Sequence, residues 1–276
     1  MKKFLALVLA LAMVATLFTA CGKKEEENPT DPTPVESQES DSEGESTEAV
    51  KVETVTEGKL TMATNAEFPP YEFYDSDNVV GIDAEVAAKI AEKLGMTLKI
   101  ENVEFGSIVG GVESGKYDMG MAGMTVTEDR LKEVIFTDSY ATGVQVVIVK
   151  EGSDIKSLDD IAGKKIGVQQ GTTGDIYASD DFGEENVTKF ANGALAVEGL
   201  KGDKVDCVII DNNPAKEFVK ANEGLVILDT AYAEEDYAAA ISKDNPELTA
   251  AINAILDAKI ADGSIQKIID KYISAN

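Results

Sequence analysis

KLTMATNAEFPPYEFYDSDNVVGIDAEVAAKIAEKLGMTLKIENV, residues 59–103, is the stretch whose pattern sets the architecture. It opens on a short β-type run, 59–64, and passes through a loop at 65–70 that carries Pro69 and Pro70. Residues 83–94 then read as a helix. Val86, Ile90 and Leu94 recur at helical spacing, Asp83 is placed to cap the start, and Gly95 stops the end. A second β-type run follows at 97–103. Strand, helix and strand in this order predict a crossover unit with parallel strands.

The pattern continues outward from there. Residues 105–114 read as a helix and 117–122 as a buried strand, giving βαβαβ order and a mainly parallel sheet. A second series then starts, with strands at 144–149 and 165–169, a turn at 171–174, and a continuous apolar strand at 205–210 that ends on Asp211. A helix at 246–261 begins on a favourable proline, Pro246, and another at 264–272 follows. Two such series predict two α/β lobes. In open α/β sheets ligands sit beyond the carboxyl ends of the strands, so the loops after Thr64, Ala122, Gln169 and Ile210 are where a site is expected. Cys207 lies inside an apolar run and reads as a small buried hydrophobe.

Composition excludes several function classes. The 276 residues include 51 acidic and 25 basic side chains, for a formal net charge of −26. Nucleic acid and anionic membrane surfaces repel such a chain. There is no histidine, which removes histidine acid–base chemistry, histidine metal sites and serine–histidine triads. The N-terminus reads as an address. Lys2 and Lys3 precede an apolar run over 4–20, shorter than the roughly 20 apolar residues of a membrane span, so 1–20 is expected to be a secretory signal. Residues 17–21, Leu-Phe-Thr-Ala-Cys, resemble a bacterial lipobox, with Leu17 one step farther from Cys21 than the pattern usually has it. Cys21 is the expected lipidation site, which incorporation of labelled palmitate tests; the alternative is a plain signal peptide cut nearby. Residues 21–57 are rich in Glu, Ser, Thr and Pro, with almost no large apolar residue before Val50, and are expected to form a disordered acidic tether. Everything after Cys21 is expected outside the membrane.

The strongest local signal for a ligand is GMTVTEDR, residues 123–130. A strand ends near Ala122, Thr127 is a good cap, and Glu128 and Asp129 suit a helix first turn. Arg130 is the only arginine in a chain that otherwise uses lysine. Its planar fork suits a carboxylate held by two parallel hydrogen bonds, with Thr125 and the backbone near Gly123 completing an anion site. The residues alone leave a second reading, a surface arginine paired with Glu128 or Asp129, and such pairs contribute only about 0–1 kcal/mol. Asp211, at a strand end, is placed either to receive an ammonium group or to cap the helix that follows. Phe68 and Tyr71 lie in the proline-stiffened loop, as walls for a ligand or cover for a core edge. Thr172 and Thr173 precede a helix, where they bind a carboxylate or simply cap. The turn at 171–174 lacks the lysine and spacing of a P-loop.

Taken in order, ATNAEFPPYEF (63–73), GIDAEV (81–86), AGMTVTEDR (122–130), FTDSY (136–140), GVQQGTT (167–173) and VIID (208–211) resemble family 3 of the bacterial extracellular solute-binding proteins, the amino-acid-binding branch of the periplasmic binding protein fold. The resemblance covers 58–273. It implies two lobes joined by a two-strand hinge, a Venus-flytrap, with lobe 1 at 58–143 plus 237–276 and lobe 2 at 144–236. It implies that Arg130 and Thr125 clamp an α-carboxylate, helped by Gly123 and Thr173, that Asp211 receives the α-ammonium, and that Phe68 and Phe105 wall the side-chain pocket. Asn65, Glu67, Met124 and Gln169 fall where the family varies with ligand, and Ala122 and Tyr71 lie beside them. Asn65 stands where an aspartate is common, and Ala84 where a larger aliphatic is usual. The implied protein is a lipid-anchored monomer that needs no cofactor or metal. It captures a polar or cationic L-amino acid and delivers it to the permease and ATPase of an ABC transporter. An amino-acid-sensing component and an enzyme on the same scaffold are the alternatives.

Overall fold

The computed structural model describes residues 52–273. The leader, Cys21 and most of the acidic segment lie outside the described residues. The chain runs β1 (Lys59–Thr64), β2 (Glu67–Phe68), β3 (Glu72–Asp75), β4 (Asn78–Val80), α1 (Ile82–Lys93), β5 (Thr97–Asn102), α2 (Ile108–Glu113), β6 (Met119–Gly120), α3 (Arg130–Glu133) and β7 (Val134–Phe136). It continues through β8 (Ala141–Lys150), β9 (Ile166–Gln169), α4 (Thr173–Phe182), β10 (Val187–Phe190), α5 (Gly193–Lys201), β11 (Cys207–Asp211), α6 (Asn212–Ala221), β12 (Leu225–Ile227) and β13 (Ala233–Tyr237). It then returns to the first lobe with β14 (Ala240–Ser242), α7 (Pro246–Ala261) and α8 (Ser264–Tyr272).

Two α/β lobes result. The first sheet has the order β5-β1-β6-β14-β7 and the second β10-β9-β11-β8-β12, with β13 also pairing β8. The β1–β5 and β1–β6 pairs are parallel, as a crossover through α1 requires. The sheets are otherwise mixed. β14 runs antiparallel between β6 and β7, and β8 runs antiparallel to β11, β12 and β13. These are the strands by which the chain leaves one lobe and comes back, so they enter each sheet from the opposite end.

Each lobe carries its own apolar clusters. In the first, Val86 and Ile90 of α1 pack under β1 beside Leu248, Ile252 and Leu256 of α7. Full burial of a side chain of this size contributes about 1.5–3 kcal/mol. In the second, Val147 and Ile209 lie on one face of the sheet and Val146, Val208 and Ile210 on the other. Val52 is buried in the first lobe's core, and the Val55 N–H donates to Asp118 at 2.7 Å. Residues 52–57 are therefore part of the folded body, where the sequence pattern placed them in the tether; two valines, only one of them buried, are too weak a periodic signal to reveal this. No helix of the described residues is long and apolar enough to cross a membrane.

Candidate functional site

A cavity lies between the two sheets, at the carboxyl ends of β1, β9 and β11. One end is built on Arg130. Its backbone N–H donates to Thr127 Oγ1 at 3.2 Å, so Thr127 supplies the first-turn bond expected of it, although α3 itself starts later, at Arg130. The guanidinium donates to the Thr125 carbonyl at 2.7 Å and, across the cleft, to the Gly171 carbonyl at 3.2 Å. Its Cζ sits 5.3 Å from the centre of the Phe105 ring. Arg130 is only 9% exposed, and among the described residues it forms no ion pair. Asp129 instead pairs with Lys132, which disposes of the surface-pair reading. Burial lowers the basicity of Arg130, and the buried Glu235 carboxylate, beyond ion-pair distance, offsets part of that, so the guanidinium has no direct anionic partner among the described residues.

Thr173 opens α4 and brings its hydroxyl to 3.5 Å from that of Thr125. Thr172 caps the helix, accepting from the Asp175 N–H, while its hydroxyl donates to the Gln169 carbonyl at 2.8 Å. Thr172 and Thr173 both line the cavity, so capping and a wall position coincide here.

Asp211, fully buried at the end of β11, marks a second region of the cavity. It accepts from the Asn213 N–H at 2.9 Å, the Val144 N–H at 2.9 Å and the Tyr237 hydroxyl at 3.0 Å. The first of these is the helix cap that the sequence allowed, and the carboxyl also reaches the cavity wall. Burial pushes its pKa up to about 6, against the pull of those donors.

The third region is formed by Asn65 and Gln169, one from each sheet, with Phe68 and Phe105 as walls. The Asn65 amide N–H donates to the Val103 carbonyl at 2.9 Å, and its oxygen accepts from Gln169 Nε2 at 2.9 Å. A carbonyl only accepts, so this geometry fixes the orientation of both amides.

Ala122, Gly123 and Thr125 complete the wall. Gly123 has φ +51°, and a Cβ there would stand 2.9 Å from the Phe68 ring, so glycine is required on both counts.

Three expected residues are elsewhere. Glu67 sits on the outer rim, accepting from Asn192 at the start of α5. Side chains alternate along a strand, so a Phe68 that faces the cavity turns Glu67 away. Met124, between Gly123 and Thr125, is fully buried in the core with Ala63, Ile108 and Phe136. Tyr71 stands behind the wall: it stacks on Phe68 at 5.8 Å and accepts from Asn213 at 3.0 Å. Asp83 does not cap α1, whose first turn is preceded by Gly81; it accepts from the Gly123 N–H and the Tyr140 hydroxyl, each at 2.8 Å.

Five wall residues lay outside the sequence reading: Glu72, Gln145, Ile209, Ile210 and Tyr237. Gln145 had a visible signal, a lone amide inside the apolar run 144–149. Tyr237 and Glu72 had none, since their partners Asp211 and Asp83 are distant in sequence.

Known proteins match this chain over the folded region. The arginine-binding extracellular protein ArtP of Bacillus subtilis (strain 168) is 33% identical over 222 residues, covering 78% of this chain and 86% of its own. An ancestral arginine-binding protein solved with arginine superimposes with a TM-score of 0.74 at 40% identity, covering 79% of this chain and 99% of the other. Its counterpart solved with glutamine gives 0.75 at 39%, over 80% and 100%. The family model described as bacterial extracellular solute-binding proteins, family 3, matches residues 60–275. With two α/β lobes and a polar cavity between them, the chain belongs to the bacterial extracellular solute-binding proteins of family 3.

Proposed function

We propose that this protein captures a polar or cationic L-amino acid outside the cytoplasm and delivers it to the permease and ATPase of an ABC transporter. The carrying observation is one cavity that holds a buried guanidinium in no ion pair among the described residues, Arg130, and a buried carboxyl, Asp211. A zwitterion satisfies both. Its carboxylate meets Arg130, Thr125 and Thr173, and its ammonium meets Asp211, which has acceptor capacity left after three bonds. The similarity to arginine-binding proteins supports this reading.

The side-chain region narrows the ligand. Gln169 Oε1 and the second lone pair of the Asn65 oxygen are acceptors for N–H groups. No lysine lines the cavity, and its one arginine serves the carboxylate region. Nothing positive is left for a second carboxylate, so glutamate and aspartate are rejected, while arginine and glutamine are accepted. That an ancestral relative was solved with each of these two ligands supports the same conclusion. Lobe 1 is taken as 52–143 plus 237–276 and lobe 2 as 144–236, closing on the ligand as a monomer. Cys21 is the proposed lipid anchor, holding the protein on the outer side of the cell membrane.

A thermal-shift panel of L-amino acids, run beside Arg130→Ala, tests the reading. A ligand at about 1,000 times its Kd adds roughly 4 kcal/mol of stability. L-arginine or L-glutamine should raise Tm, L-glutamate should not, and Arg130→Ala should bind at least about 30-fold more weakly. A folded protein that shifts with no amino acid refutes it.

A further inference from the structure

Glu72 is fully buried on the cavity wall, yet neither of its carboxyl oxygens meets a donor among the described residues. Beside it lies another fully buried carboxyl, Asp83, whose backbone N–H donates to the carbonyl of the adjacent Tyr71 at 2.9 Å and whose charge opposes ionisation of Glu72. The groups acting on this pair are acidic or phenolic: Asp211, whose charge opposes ionisation of Glu72, and Tyr71 and Tyr140, which feel the pair in turn. Two buried carboxylates with no cation between them cannot both ionise. The bonding pattern assigns the roles. Asp83 already accepts from the Gly123 N–H and the Tyr140 hydroxyl, so it is the anion. Glu72 has no donor to hold a negative charge, so it keeps the proton.

We propose that Glu72 is a positioning residue of the cleft: its carboxylic O–H donates to the Asp83 carboxylate, and this shared proton ties the Phe68 hairpin to the Gly123 loop. Glu72 of β3 pairs across the hairpin with Phe68 of β2. Asp83 of α1 holds the Gly123 N–H. The proton thus adds a side-chain link from the aromatic wall to the backbone beside the carboxylate clamp, next to the backbone bond by which the Asp83 N–H donates to the Tyr71 carbonyl at 2.9 Å. Burial raises the pKa of Glu72 well above the carboxylate range, consistent with the neutral acid, and that of Asp83 to about 6.

Infrared spectroscopy of the ligand-free protein in heavy water at about pH 8, well above the ordinary carboxyl range, tests the proton directly. The wild type should show the C=O stretch of a protonated carboxylic acid, and Glu72→Gln should lack it. Calorimetry with L-arginine and L-glutamine tests the positioning. Glu72→Gln, whose amide N–H donates in the same sense, should bind within about threefold of wild type, and Glu72→Ala about tenfold more weakly or worse. No such band in the wild type, or the same band in Glu72→Gln, overturns the proposal. So does Glu72→Gln binding as poorly as Glu72→Ala; if Glu72→Ala does not fold, the band alone decides. The binding arm rests on the amino-acid reading above, but the band does not. A band without any amino-acid binding would sink that reading and leave the shared proton standing.

Discussion

At the scale of single residues, the cavity concentrates charge that folding alone does not explain. Asp211 is the clearest case. In the folded, ligand-free chain burial raises its pKa to about 6, whereas an exposed aspartate titrates near ~3.9. For a group whose folded pKa is raised, the sign is fixed. Its contribution to stability is fully present below about pH 4, and is lost as pH rises through about 6. An incoming ammonium requires the anion, so binding below about pH 6 must expel a proton. Affinity for L-arginine or L-glutamine should therefore fall by up to tenfold for each pH unit below about 6. Calorimetry in two buffers of different ionisation enthalpy should register the released proton. Asp83 titrates in the same range but is sealed behind the Gly123 loop, and Asp211→Asn separates the two. Persistence of the same pH dependence in Asp211→Asn would refute the assignment, whatever the variant's residual affinity.

At the scale of elements, legibility followed the strength of the local signal. The pattern gave α7 and α8 to the residue, because α7 has a start signal in Pro246 and α8 an apolar repeat at Ile265, Ile268 and Ile269. The expected strand at 117–122 shrank to Met119–Gly120, because apolar character alone does not separate a strand from a buried loop. The β2–β3–β4 hairpin stayed hidden in a loop, since its strands are two to four residues long and partly polar. The site shows the same split. Arg130, Thr125 and Asp211 stood out by residue type at element ends. Glu67 was misplaced by the two-residue alternation of a strand, which sequence order cannot phase without knowing one neighbour's direction, and Met124 by the left-handed turn at Gly123, which breaks any such alternation. The join between hairpin and α1 is the most demanding local feature. Gly81 adopts φ +124°, and a Cβ there would lie 2.2 Å from the Tyr71 carbonyl oxygen. The amides of Ile82 and Asp83 donate to the Pro70 and Tyr71 carbonyls, so that backbone has little freedom to retreat. Gly81→Ala should destabilise the protein by about 3 kcal/mol or more, read from the urea midpoint. A loss under about 1 kcal/mol would show that the join gives way cheaply.

At the scale of the whole molecule, the cleft is bridged by bonds that join the two lobes. Arg130 reaches Gly171, Gln169 reaches Asn65, and Asn213 donates to the Tyr71 hydroxyl. The first two involve cavity residues, so replacing them alters ligand contact and bridging together. Asn213 and Tyr71 are not on the cavity wall, which makes their 3.0 Å bond a probe of closure by itself. If the protein opens and closes, apparent affinity is the intrinsic affinity scaled by the fraction of molecules able to close. A neutral hydrogen bond contributes about 1 kcal/mol. Asn213→Ala should then raise the Kd for L-arginine or L-glutamine about fivefold without contacting the ligand. The loss should appear as faster release in stopped-flow, since the bond holds the closed form. Small-angle scattering should show the ligand-saturated variant as compact as the saturated wild type, because ligand in excess restores closure. An unchanged Kd would mean that the lobes sit together without help from this bond. A weakened Kd with an expanded saturated state would mean that Asn213 shapes the closed form rather than its population.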